Sequence, residues 1–124
     1  MGRPKTESLT DHELTIIKIL WDESPLCIAE ILQRFPRKPK PAYTSLLTVV
    51  GAMEKKGYVA HVQGGKAYLY SPSIKKKEYE HSQIEKLVEK FFDGDSLSLA
   101  VNLIKRERLN AREIERLKRM LGEL

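Results

Sequence analysis

After Gly57 the apolar pattern of this chain changes period, and that switch limits what it can fold into. Upstream, apolar residues recur every three or four positions, as on a helix face; downstream they alternate, as on a strand. The first helix opens at Thr10-Asp11-His12-Glu13, where Thr10 can cap the free amides while Glu13 reaches back. Leu14, Ile17, Leu20 and Trp21 follow at helical spacing, so this helix ends near Trp21. Glu23-Ser24-Pro25 stops the chain, and Leu26 suits a short strand. A second helix gathers Ile28, Ile31, Leu32 and Phe35 on one face, until Pro36, Pro39 and Pro41 remove amide donors and end it. A third runs from Ala42 to Lys56, with Pro41 at its start, Gly57 as a left-handed cap, and Leu46, Leu47, Val50 and Met53 as its core face. Two strands come next, Tyr58 to Val62 and Ala67 to Tyr70, joined by Gln63-Gly64-Gly65-Lys66 and closed by Ser71-Pro72.

Three helices and a hairpin with a basic tip make a winged helix, whose third helix can lie in a DNA major groove. The tail is helical in pattern throughout. Ile84, Leu87, Val88, Phe91 and Phe92 fall at helical spacing before Asp93-Gly94. The stretch from Leu97 to Ile104, with Leu99 and Leu103, is apolar almost all round, and Asn110 to Leu121 carries Ile114, Leu117, Met120 and Leu121. Three helices in under about 50 residues rarely build a core of their own. A second copy of the same tail is the plain cover for them, which predicts a symmetric homodimer. The expected fold class is therefore mostly α with a small β-hairpin. It comprises a flexible arm over 1–8, a winged helix-turn-helix over 9–73 and a helical dimerisation region over 74–124.

Charge points the same way. The net charge is only +5, but residues 34–66 carry seven basic groups against the single acid Glu54. A polyanion is expected to bind there. On the outward face of the third helix, Thr44, Thr48 and Lys55 line up, with Ser45 and Ala52 alongside. Small hydroxyl side chains let a helix come close to base edges, and a Thr methyl can touch a thymine methyl. Base-edge contacts are assigned to Thr44, Ser45 and Thr48, with Tyr43 at the opening of the helix. Arg37, Lys38, Lys40, Lys55 and Lys66 are assigned to phosphates. Tyr68 and Tyr70 alternate onto one strand face, where core packing is the plainer reading and stacking on DNA the alternative. Gly2-Arg3-Pro4-Lys5 resembles half of an AT-hook, although a disordered tail accounts for it more simply.

Other chemistries find little support. His12, His61, His81 and Cys27 have neither the spacing nor the clustering of metal ligands, so no metal or cofactor is expected. No nucleophile elbow, phosphate loop or carboxylate pair is present, which argues against an enzyme. The lone Cys27 fits a reducing compartment, and without a long apolar run or secretion signal the chain is expected to be cytoplasmic, with no membrane insertion.

Several stretches together resemble the penicillinase-repressor (BlaI/MecI) family over about residues 8–121. They are Leu9-Thr10-x-x-Glu13 with Leu20-Trp21, Ala42-Tyr43-Thr44-Ser45 with Thr48, and Glu54-Lys55-Lys56-Gly57-Tyr58-Val59. Gly65-Lys66-Ala67-Tyr68-x-Tyr70-x-Pro72 and Phe91-Phe92-x-Gly94 complete the set. The resemblance implies a dimeric repressor of inverted-repeat operators, often of TACA/TGTA type, in β-lactam resistance or related systems. It also implies induction through a membrane-bound metalloprotease sensor and a cut after an Asn in the tail. Asn102, before Leu103, occupies that position, but with Leu where the best-known members have Phe. Copper-responsive relatives carry Cys-x-Cys motifs in the tail; this tail has no cysteine.

The reading is a sequence-specific repressor that binds double-stranded DNA as a homodimer. The competing classes are a winged helix serving as a protein–protein module, and a regulator gated by a ligand or by oxidation of Cys27.

Overall fold

The computed structural model describes residues 8–36, 38–106 and 109–124. Arg37 and the proposed arm at Gly2-Arg3-Pro4-Lys5 lie outside the described residues. Helix α1 (Asp11–Asp22) is followed by α2 (Ile28–Gln33) and α3 (Tyr43–Lys55). Strands β1 (Val59–Gly64) and β2 (Ala67–Pro72) then form an antiparallel hairpin, and α4 (Lys76–Phe92), α5 (Ser96–Arg106) and α6 (Ala111–Gly122) complete the chain. There are two compact units, one reaching Ser82 and one running from Gln83 to Leu124, and the division falls within α4.

Each helix start in the first unit follows from its sequence. Thr10 accepts from the Glu13 amide and the Glu13 carboxylate accepts from the Thr10 amide, the reciprocal cap that the sequence predicts. Helix α2 begins at Cys27, whose amide donates to the Glu30 carboxylate. Helix α3 ends where Gly57 turns left-handed at φ +88°. There the Gly57 amide bonds the Glu54 carbonyl and the Tyr58 amide bonds the Met53 carbonyl, satisfying the last helical acceptors.

One core unites these elements. Ile16, Ile17 and Leu20 from α1 meet Ile28 and Ile31 from α2, Leu46, Val50 and Met53 from α3, and Tyr58, Val59 and Tyr70 from the hairpin. Leu26 forms the short strand expected of it, trading two backbone hydrogen bonds with Tyr70 and seating the hairpin against the helices. Chain beyond the hairpin also belongs here. The Trp21 indole donates to the Ile74 carbonyl at 2.9 Å, and the Tyr79 hydroxyl accepts from the Leu9 amide at 2.9 Å. Three helices with a two-stranded wing constitute a winged helix.

The hairpin is tighter than its sequence suggests. The strands run through Gly64 and Ala67, leaving a two-residue turn, Gly65-Lys66, rather than four residues. Gly65 has φ +69° at the first turn position, as a type II′ turn requires.

Buried Glu13 makes one ion pair inside this unit. Its carboxylate accepts from the Thr10 amide and from the Lys56 ammonium, each at 3.0 Å. Burial pushes its carboxyl up, but the bonds from Thr10 and Lys56 outweigh that and hold it below the ordinary value of 4.5. A depressed folded value means the stabilisation is complete above that ordinary value and is lost as pH falls through the folded one. Glu13→Ala is expected to cost about 1–3 kcal/mol at pH 7. Urea unfolding of the parent should weaken below pH 4.5 more steeply than that of Glu13→Gln. Parallel pH profiles would contradict this.

The second unit is built differently. Its α4 stops at Asp93 and Gly94, both at positive φ, and Asp95 accepts from the Leu97 and Ser98 amides to start α5. Asn110 and Glu113 cap α6 reciprocally. Neither α5 nor α6 has a buried residue.

Candidate nucleic-acid interface

Helix α3 lies across the first unit with Leu46, Val50 and Met53 turned into the core. Its opposite face presents Thr44, Thr48, Ala52 and Lys55, all exposed. The Thr48 hydroxyl donates to the Thr44 carbonyl at 3.1 Å. That bond occupies its proton and leaves its lone pairs for a donor such as a base amine. Ser45 is exposed on the flank, at a crevice shared with His12 and Phe35. No side chain caps the helix at Ala42, so its first amides carry the positive end of the helix dipole unmatched.

The basic groups sort into two kinds. Arg34 forks onto both carboxylate oxygens of Glu23, at 2.9 and 3.1 Å, and also bonds the Glu30 carbonyl, and Lys56 is held by Glu13. These cations are engaged within the fold. Lys38, Lys55 and Lys66 are exposed, while Lys40, also exposed, bonds the Gln33 carbonyl at 2.9 Å and so is steered by the end of α2. Lys38 and Lys40 precede α3, Lys55 closes it, and Lys66 stands at the wing tip.

Sequence reasoning missed what fixes the wing. His61 of β1 bonds Glu54 of α3 at 2.7 Å and stacks on Tyr68 of β2, with ring centres 4.0 Å apart and planes 17° from parallel. Nothing local announces this contact, because the partners flank the Gly57 reversal. Tyr70 packs into the core beside them. Burial, then the Glu54 carboxylate and the neighbouring tyrosines, push its hydroxyl above the ordinary value. Tyr68 is not a core residue as expected; it is 48% exposed. Leu47 also departs from expectation. Instead of joining the core face of α3, it is 44% exposed and lines a groove of about 320 Å³ with Tyr43, Lys66 and Tyr68. A strict three-or-four spacing admits both Leu46 and Leu47; Leu46 sits beside Ile16 of α1 and Phe35, whereas Leu47 faces the groove.

In the second unit, Ile84, Leu87, Phe91, Leu103 and Leu121 are exposed, Phe92, Leu99 and Leu117 are half-buried, and Val88 is buried. Asn102 and Leu103 sit in mid-α5 with exposed side chains. Among the described residues no three His, Cys, Asp or Glu gather as a metal site would need, and no helix is long and apolar enough to cross a membrane.

A family model described as Penicillinase repressor matches residues 9–123. The penicillinase repressor of Bacillus licheniformis is 26% identical over 123 residues, covering 96% of this chain and 93% of that protein. The penicillinase repressor of Staphylococcus aureus is 25% identical, covering 97% and 95%. The methicillin resistance regulatory protein MecI of S. aureus strain N315 is 20% identical, covering 96% and 97%. Among solved structures, the solution structure of the DNA-binding domain of the repressor BlaI superposes with a TM-score of 0.53 at 23% identity, over 62% of this chain and 94% of that one. At that identity the match speaks for the winged-helix fold.

Proposed function

This chain belongs to the penicillinase-repressor family of transcriptional repressors, and from that premise we propose that it binds an inverted-repeat operator in double-stranded DNA as a homodimer. The observation that carries the reading is the outward face of α3, with exposed Thr44 and Thr48, an uncapped positive end, and exposed lysines before, after and opposite it. Thr44, Ser45 and Thr48, with Tyr43, meet base edges. Lys38, Lys40, Lys55 and Lys66, together with Arg37, neutralise phosphates. The dimer follows from residues 74–124, where exposed apolar residues of α4, α5 and α6 await cover from a second copy. Two heads on one duplex exclude RNA polymerase from an overlapping promoter. The relatives' names point to β-lactam resistance or a related system for the regulated genes.

Induction is proposed to run through the tail. A membrane-bound metalloprotease sensor system would lead to cleavage between Asn102 and Leu103, separating α6 from the winged unit. Those residues sit in helix, so α5 must unwind before a protease can hold the bond in extended form.

Salt dependence tests the DNA reading. Four lysines and Arg37 per head give about ten phosphate contacts per dimer, so the logarithm of affinity should fall with the logarithm of salt at a slope of about −9. A flat response would favour a protein–protein module instead.

A further inference from the structure

We propose that Leu47 packs against a thymine C5-methyl group in each half-site, so that an aliphatic side chain, and not a hydroxyl, selects a T·A pair there. This assignment rests on α3 being the major-groove helix. Leu47 is out of place by the standards of its own unit. Its neighbours Leu46 and Val50 are 2% and 0% exposed, whereas Leu47 is 44% exposed and Tyr43, one turn earlier on the same flank, is 49% exposed. The two line a groove whose other lining residues include Lys66 and Tyr68 of the wing and Ile28 and Ala29 of α2. That groove is bordered by one cation and no carboxylate, which suits the edge of a polyanion.

Base chemistry narrows the occupant. In the major groove the base edges present hydrogen-bond donors and acceptors, and the one apolar group among them is the thymine methyl. Against any other edge Leu47 would strip water from polar atoms and return no hydrogen bond. Against the methyl it removes apolar area from water on both sides. The same side chain therefore favours thymine and penalises its competitors, which is how a helix short of long polar readers can still discriminate.

The test uses the full-length chain and the duplex it enriches from a random pool. Each thymine is replaced in turn by deoxyuridine, which deletes only the methyl. At one symmetry-related pair of positions, affinity should fall about 4-fold for one methyl and about 15-fold for both. Leu47→Ala, at an exposed position, should fold normally and bind the thymine and uracil duplexes equally. Insensitivity to uracil at every position would overturn the assignment. So would a Leu47→Ala chain that still prefers thymine at that pair, or one that weakens binding while the parent makes no distinction there, which would place Leu47 against deoxyribose. If no duplex is enriched at all, the reading of α3 fails first and takes this assignment with it.

Discussion

Replacing both Leu117 and Leu121 with Glu is expected to yield a folded monomer whose affinity for the inverted repeat is at least about 100-fold lower. Helix α6 carries Ile114, Leu117 and Leu121 along one side, with Arg112, Glu115, Arg116, Lys118 and Arg119 among its polar residues. It buries none of them. Met120 and Leu121 are 53% and 59% exposed, and Phe91 of α4 and Leu97 of α5 are more exposed still. So much uncovered apolar surface on helices is stable only when another surface covers it. A second copy supplies the same apolar residues by symmetry, and charges placed in the seam would go unpaired and oppose association. The winged unit has its own core and should remain folded. The loss therefore has one source: the second head no longer binds as a tethered neighbour. Sedimentation should show a monomer, and affinity for a single half-site should match the parent's. A variant that stays dimeric, or that loses half-site binding as well, would refute this.

Gly51→Leu is expected to make the protein more stable and nearly unable to bind its operator. Gly51 lies in mid-α3, where glycine costs about 0.5–1 kcal/mol relative to a good helix former. The fold gives nothing back for that cost: a Cβ built there meets no atom within 4 Å. It stands between Thr44, Leu47, Thr48 and Lys55 on the outward side of the helix. If a duplex occupies that side, the missing side chain is room for the edges of the bases. Leu at that position would push α3 away from the groove and break several contacts at once, a loss of about 100-fold or more at roughly 1–3 kcal/mol per contact. Thermal unfolding should shift upward by a few degrees in the same variant, at about 4–8 °C per kcal/mol for a unit of this size. Gain of stability with unchanged DNA binding would move the interface off α3.

Local rules made much of the winged unit legible. The caps at Thr10 and Gly57 and the change of period each depend on residues within a few positions of one another, and each appears in the fold as expected. Helix α2 is shorter than its apolar spacing suggests, ending at Gln33 with Phe35 beyond it rather than running on to Pro36. What escaped depends on tertiary placement. Leu46 and Leu47 are equivalent to a helical repeat, yet Leu46 lies buried beside Ile16 of α1 and Phe35 while Leu47 is open to the groove. Tyr68 and Tyr70 share a strand face, yet only Tyr70, which pairs with Leu26, reaches the core, while Tyr68 nearer the turn lines the groove. The His61–Glu54 bond spans a reversal, and no pattern in the chain marks it. Charge counting also overstated the basic surface, since Arg34 and Lys56 are held by internal acids.

Selection of duplexes from a random pool by the full-length chain tests the central claim most directly. The account predicts enrichment of a palindrome whose half-sites lie about one helical turn apart, or a small multiple of it, as two copies of α3 on a symmetric dimer require. A pool that enriches no motif, or only a single unpaired half-site, would contradict it.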